Sequence, residues 1–230
     1  MDKPIKIAVD GPVGSGKGTL AVALAKKLDA LYIYTGAMYR ELGLVCLRKK
    51  INVKDEIKVL QILNKISIEL RETGEKMRAF LNGEDVSNEI FQPHVSKTAS
   101  SIATFPKVRK EMVLRQKKMV LRAKIEGKSV VMEGRDIATD VIPDADLKIY
   151  LTADVKVRAK RRLIQFEKRG IKTQFTDVLK DLEERDRQDT QRSVSPLRIT
   201  KDAIVIDTTN DTIDETVDKV INKLKEKSLI

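Results

Sequence analysis

The chain is short of the residues that build disulfides, metal cages and aromatic cores. It has one Cys, one His and no Trp among 230 residues, and aromatics make up only 4%. A lone cysteine, Cys46, excludes an internal disulfide framework and any paired-cysteine metal site within one chain. It lies in the apolar stretch 42–47 and reads as a small core residue. The single histidine, His94, sits beside Pro93 and reads as a loop or cap residue without chemistry. No apolar run approaches the length of a membrane span, and no apolar signal segment follows residues 1–4. A soluble, cytoplasmic chain with no membrane partner is therefore expected. Hydrophobic residues reach 41%, so a sizeable core is possible, but it must be aliphatic. What is abundant is positive charge: 45 Lys and Arg against 34 Asp and Glu, a formal net charge of +11. Such a balance suits anionic ligands, either nucleic acid or small phosphates. The length is within reach of one domain, or one domain with an insertion.

The most informative stretch is Gly11 to Thr19, which reads Gly11-Pro12-Val13-Gly14-Ser15-Gly16-Lys17-Gly18-Thr19. Before it, residues 5–10 are β-branched and apolar enough for a buried strand. After it, Leu20 to Leu28 is strongly helical in propensity. Strand, glycine-rich turn and helix form the context that gives G-x-x-x-x-G-K its meaning. The glycines let successive backbone N–H groups turn inward as an anion nest. The helix start adds free N–H groups and the positive end of its dipole. Lys17 can then reach the outer phosphates of a nucleotide. The usual Ser or Thr after the lysine is Gly18 here, and the hydroxyl arrives one residue later at Thr19. Gly-Lys-Gly-Thr resembles the loop of nucleoside-monophosphate kinases, and it leaves direct ligation of Mg²⁺ by a loop hydroxyl in question.

The remaining strands are short aliphatic runs at 31–34, 129–132, 146–151 and 203–207, with helical patterns between them. Five strands alternating with helices predict an α/β fold with a doubly wound parallel five-stranded sheet. Thr35 is expected to cap a helix carrying Arg40, and Thr176 to cap a later one. Gly127 and Gly170 are placed to end helices. Residues 212–215 form a capping box. Between about 51 and 103 the alternation breaks: 66–71 and 77–81 alternate apolar and polar, with Gly74 between them and Asn82-Gly83 after. This predicts a hairpin within a small inserted α+β subdomain (51–103), the core being 1–50 and 104–230. Two stretches, 107–128 and 156–172, are basic and amphipathic.

Ligands of such a sheet gather at the carboxyl ends of its strands. The polar residues expected there come from five segments: the phosphate loop, then Thr35 and Arg40, then Glu133, Arg135 and Asp136, then Arg158, Arg161 and Arg162, and finally residues 184–192. So many arginines repel one another unless polyanions sit among them. Two phosphate groups in transfer would supply that charge. Lys17, Arg135, Arg158 and Arg192 are the candidate catalytic cations, and Arg158 and Arg162 also candidates for holding the nucleotide donor.

Residues 10–19, 35–40, 81–86, Ser100, 105–109, 134–136, 147–151 and 185–196 together resemble bacterial cytidylate kinase, over nearly the whole chain. The resemblance implies transfer from ATP to CMP or dCMP, with ATP and Mg²⁺ required. It implies a P-loop kinase core, an enlarged monophosphate-binding region, a mobile helical lid near 156–172, and a monomer. By the same resemblance, Thr35, Arg40 and Arg135 hold the acceptor phosphate. Ser100, Arg109 and Asp136 read the cytosine. Arg185 and Asp189 hold the sugar, and Arg192 lies near the phosphates. The chain departs from the family at Glu133, where the segment usually begins with Asp; the position would face the metal through its waters. Cytosine offers an amino donor and a ring-nitrogen acceptor, and uracil reverses both, so an acceptor at Asp136 beside donors at Ser100 and Arg109 fits cytosine. Two other readings compete. One is a P-loop kinase of another small acceptor, such as UMP or a non-nucleotide metabolite. The other is a basic nucleic-acid-binding P-loop protein, disfavoured because acidic residues break up the arginines and no aromatics interleave.

Overall fold

The computed structural model describes residues 3–73 and 76–230. In chain order its strands are β1 (Lys6–Asp10), β2 (Leu31–Tyr34), β3 (Ile68–Thr73), β4 (Lys76–Leu81), β5 (Glu84–Asp85), β6 (Val130–Gly134), β7 (Leu147–Thr152) and β8 (Ile204–Asp207). The α-helices are α1 (Lys17–Lys27), α2 (Thr35–Arg48), α3 (Glu56–Leu63), α4 (Pro93–Ile102), α5 (Pro106–Ile125), α6 (Val155–Glu167), α7 (Phe175–Gln191) and α8 (Ile213–Glu226). Two compact units divide the chain, Met1–Leu31 with Ala123–Ile230, and Tyr32–Arg122. The second unit takes in α2 and most of α5, and so is wider than the 51–103 stretch marked out by the change in sequence character.

The main sheet has five strands in the order β2-β6-β1-β7-β8, of which β6, β1, β7 and β8 belong to the discontinuous first unit. The pairs β1–β6, β1–β7 and β7–β8 are parallel. All five strands match the aliphatic runs read from the sequence. β1 lies in the middle, and Ile7, Ala8 and Val9 are completely buried. Burial on both faces explains why it reads as a continuous apolar run rather than an alternating one. Helix α8 begins with the expected capping box: Thr212 accepts from the Glu215 N–H, and the Glu215 carboxylate accepts from the Thr212 N–H. Val217, Val220 and Leu224 are its buried face. Helices α6 and α7 pack through Ala159, Val178 and Leu182, with Val13 of the phosphate loop against the same cluster. Gly127 and Gly170, both with φ of +69°, follow the last turns of α5 and α6.

The second unit has an aliphatic core around α2. Leu42, Leu44 and Cys46 are buried there with Val59, Leu63, Val95, Ile102 and Met112. The expected hairpin is β3–β4, antiparallel, with Ile68 opposite Leu81. The Gly74 position lies outside the described residues. A third short strand, β5, follows a two-residue turn in which Asn82 and Gly83 both have positive φ, 49° and 85°. That is the backbone a tight hairpin of this hand requires. His94 is exposed in the first turn of α4.

Two expected caps are corrected. Thr35 is the first helical residue of α2 rather than its cap, because β2 runs straight into the helix and Tyr34 takes the cap position. Thr176 lies inside α7, which begins at Phe175. The Phe175 ring packs on the Ala159 cluster, so the helix starts two residues earlier, with Gln174 at the cap.

Candidate active site

The phosphate loop connects the end of β1 to α1. Gly11, Gly14 and Gly16 have φ of 147°, 79° and 95°. These are conformations that side chains rarely tolerate, and they turn the loop's amides inward. Gly11 has a second reason to be glycine: a Cβ there would lie 2.0 Å from the Leu151 carbonyl oxygen. Ser15 Oγ donates to the Pro12 carbonyl at 3.0 Å and ties the loop across its own width. Helix α1 has no acidic residue in its first turn and two lysines in its last. No residue of its own first turn thus offsets its N-terminal charge.

Lys17 is buried at the base of this loop. Its ammonium donates to the Pro12 carbonyl at 2.6 Å and reaches Ser15 Oγ at 3.5 Å. Burial, and then the Arg135 guanidinium, push its pKa down to about 7, while Glu133, Asp10 and Asp189 pull it back up. A cation held this close to neutrality gains from any anion that enters the nest. The donor set therefore fits nucleotide phosphates. The fit to Mg²⁺ rests on Glu133, buried at the end of β6. A Cβ at Gly18 would meet Glu133 Oε1 at 2.9 Å, so the missing hydroxyl position and the longer carboxylate occupy the same space. No group of three His, Cys, Asp or Glu forms a metal cage among the described residues. One carboxylate beside a phosphate nest suits a cation that keeps most of its waters.

Arg135 and Asp136 follow Glu133 at the same strand end. Arg135 Nε donates to Asp189 Oδ2 at 2.7 Å, and Arg192 Nη1 donates to Asp189 Oδ1 at 3.1 Å. One carboxylate of α7 thus braces two of the predicted catalytic arginines. Arg192 Nε also donates to the Ser195 carbonyl at 2.7 Å. Arg158 is nearly buried at the start of α6. It donates to the Ala153 and Val13 carbonyls and pairs with Asp186 at 2.7 Å. Its stem lies under Gly14, where an added Cβ would meet it at 3.0 Å. Arg158 therefore supports the phosphate loop from behind. Arg162 bonds Gln165 and stacks over Phe166, 4.4 Å from the ring centroid. Arg185 Nε pairs with Asp181 at 3.0 Å. In this unit the phosphate loop, Glu133, Arg135, Asp136, Arg158, Asp189 and Arg192 form one constellation at the carboxyl ends of β1 and β6.

The second unit holds the other predicted residues. Arg40 donates from Nε to the Tyr34 hydroxyl at 3.2 Å and from Nη1 to the Ile90 carbonyl at 3.1 Å, and Nη1 also bonds the Ser96 hydroxyl. Its guanidinium lies 5.3 Å from the Phe91 ring centroid. Thr35 is buried one turn earlier on α2. Arg109 is buried in α5, donates to the Ala103 carbonyl at 3.0 Å and lies 5.5 Å from the Tyr39 ring centroid. Ser100 is half-buried on α4.

Three residues with structural roles at the first unit's site went unassigned in the sequence. Asp186 is the acidic partner of Arg158. Thr208, beyond β8, donates to the Ser15 carbonyl at 3.1 Å and accepts from Arg161 Nη1 at 2.9 Å. Asp10 accepts from two backbone amides after Asp136, and burial pushes its carboxyl up to about 6 against the pull of those amides. A carboxylate closing a buried strand beside a glycine-rich loop was the available signal for Asp10.

The model of the cytidylate kinase family matches residues 7–226. The chain belongs to the cytidylate kinase family. It is 45% identical over 206 residues to the cytidylate kinase of Caldanaerobacter subterraneus, covering 90% of this chain and 88% of that protein. It is equally 45% identical over 210 residues to the cytidylate kinase of Oceanobacillus iheyensis, covering 91% and 89%. Among solved structures, an uncharacterised protein of Eubacterium ventriosum superposes with a TM-score of 0.52 at 18% identity, covering 97% of this chain and 99% of that one. A sugar kinase of Janibacter superposes with a TM-score of 0.51 at 12% identity, covering 96% and 95%. These two likenesses speak to the fold alone. The family match makes the chain a nucleotide-binding kinase, and no helix among the described residues is long and apolar enough to cross a membrane.

Proposed function

We propose that the protein moves the γ-phosphoryl group of ATP to CMP or dCMP, giving ADP and CDP or dCDP. The observation that carries this reading is the family match across residues 7–226, at 45% identity to curated cytidylate kinases. The geometry agrees with it. The loop at 11–19 would take the donor's phosphates, with Lys17 on the outer ones. Mg²⁺ would neutralise charge between them, with Glu133 reaching it through water. Arg135 and Arg192, braced on Asp189, would face the acceptor phosphate and the phosphoryl in flight. Thr35 and Arg40 of the second unit would hold that acceptor phosphate, and Ser100 and Arg109 would read the base together with Asp136. Arg185 and Asp189 would meet the sugar. The end of α6 and the turn to 172 would serve as the lid, with Arg162 toward the donor, and Arg158 would serve the donor through the phosphate loop it supports. The soluble, monomeric, cytoplasmic state of the protein follows from the same reading.

No strong general base is needed, because an acceptor phosphate oxygen is already ionised. Catalysis is then positioning and charge stabilisation. Arginine forks match phosphate oxygens better than lysine does. The basic helix α6 argues for a nucleotide rather than a nucleic-acid ligand, since Arg158 and Arg161 bond to the phosphate loop and to Thr208 rather than lying free along one face. The test is a coupled ADP-release assay with ATP, Mg²⁺ and each of CMP, dCMP, UMP and AMP. Strong turnover of CMP and dCMP in the wild type, with the Asp136→Ala variant losing its preference for cytosine, is expected. Turnover confined to another acceptor would overturn the specificity.

A further inference from the structure

We infer that Asp10, besides lending its charge to Lys17, is a positioning residue that sets Arg135 and Asp136, and through them the acceptor. The inference rests on the functional reading above and assigns Asp10 a task within it. Asp10 closes β1 and is 2% exposed. Its Oδ1 accepts the Ile137 N–H at 3.0 Å, and its Oδ2 accepts the Ala138 N–H at 2.7 Å. Those two residues directly follow Asp136, whose φ of −140° and ψ of 24° end the strand conformation of β6. A single widened helical turn, Ile137–Val141, then begins.

The geometry shows what the clamp does. Asp10 pairs in register with Gly134, so its main chain fixes the end of β6 and its side chain fixes the start of the following turn. Arg135 and Asp136 lie between these two anchors. Ile137 and Ala138 are buried, and their amides have no water to fall back on. Both amides point at one carboxylate, so both acceptor oxygens are needed. An asparagine in the same place presents one oxygen and one NH₂, and the NH₂ opposes a buried N–H donor. The loss of one such bond leaves a buried donor unsatisfied.

The experiment is steady-state kinetics of wild type and Asp10→Asn with ATP and CMP, and of CMP against UMP. For Asp10→Asn, KM for CMP is expected to rise about tenfold, in line with one lost buried hydrogen bond. KM for ATP should stay within about twofold, and the preference for CMP over UMP should shrink. Equal rises in the two KM values, or an unchanged KM for CMP, would overturn the proposal. Amide hydrogen exchange on the nucleotide-free wild type supplies a second measurement that does not depend on the variant folding. The Ile137 and Ala138 amides are expected to be as protected as those of β6. Exchange of both at the rate of exposed loop amides would also overturn it. Should the wild type turn over no nucleoside monophosphate, the functional reading fails, and the exchange result alone decides whether Asp10 clamps the turn.

Discussion

Replacing Glu41 is expected to stabilise the protein, and to do so more strongly as the pH rises. Glu41 sits on α2 in the core of the second unit with no exposed surface, and neither carboxylate oxygen has a hydrogen-bond partner at close range among the described residues, the Glu69 backbone N–H lying nearby but beyond it. Burial pushes its pKa from 4.5 up to about 9, and the Glu69 charge adds to the rise. The Glu69 backbone N–H works against both. The unfolded chain ionises Glu41 near 4.5, while the folded chain keeps it neutral until about 9. Between those values the unfolded state binds fewer protons, so stability is full below 4.5 and falls as pH rises. The slope is about 1.4 kcal/mol per pH unit, so this group costs about 3 kcal/mol at pH 7 and about 4 kcal/mol more at pH 8 than at pH 5. Glu41→Met removes the titration and fills similar volume with apolar atoms. At this chain length its midpoint should rise by about 6–12 °C at pH 7. Glu41→Gln removes the titration but leaves a buried amide unpaired, at about 1–3 kcal/mol. It should therefore start below or level with the wild type at pH 5 and overtake it by pH 8. Urea denaturation of the three proteins at pH 5, 6.5 and 8 decides the matter. Parallel stability profiles for wild type and Glu41→Met would refute the reasoning.

Three further outcomes follow from the phosphate loop. Lys17 is mostly neutral at pH 8 in the free protein, since its pKa is about 7, and a bound polyphosphate restores its charge. Nucleotide binding at pH 8 should take up close to one proton, and at pH 6 almost none; calorimetry in buffers of different ionisation enthalpy reads this, and Lys17→Met should abolish the difference. Gly11→Ala should destabilise the fold by at least about 3 kcal/mol, because φ is +147° and the new Cβ meets a main-chain oxygen that cannot swing away. Gly18→Ala should melt close to the wild type yet need more Mg²⁺ for activity, because the atom it displaces is the flexible end of Glu133. Comparable melting curves for Gly11→Ala and the wild type would contradict this account of the loop.

The fold was largely legible because its information is local. Each strand of the main sheet is a short aliphatic run, the phosphate loop is contiguous, and the capping box at 212–215 and the glycine stops at 127 and 170 are read from a few neighbouring residues. What escaped is long-range. Nothing near Asp189 says that it braces Arg135 from 54 residues away. Glu41 hides because one buried carboxylate does not disturb the helical pattern of α2. The extent of the second unit escaped for the same reason: α2 packs on α4, α3 and the β3–β4 hairpin, and composition changes only after α2 has ended. The misplaced caps at Thr35 and Thr176 are matters of one and two residues, decided by the strand before one helix and the aromatic ring at the start of the other.

The central position of β1 has a consequence for synthesis. β1 is made well before both strands that flank it, since β6 and β7 begin only at Val130 and Leu147. At roughly 5–20 residues per second, the nascent chain waits on the order of 10 s before its phosphate loop has a sheet to stand on. The unit Tyr32–Arg122 is continuous and emerges whole during that interval. Stalling translation once residue 122 has cleared the ribosome, but before β6 has, should leave that unit complete while β1 is still apolar and unpaired, the state in which this protein would most need a chaperone.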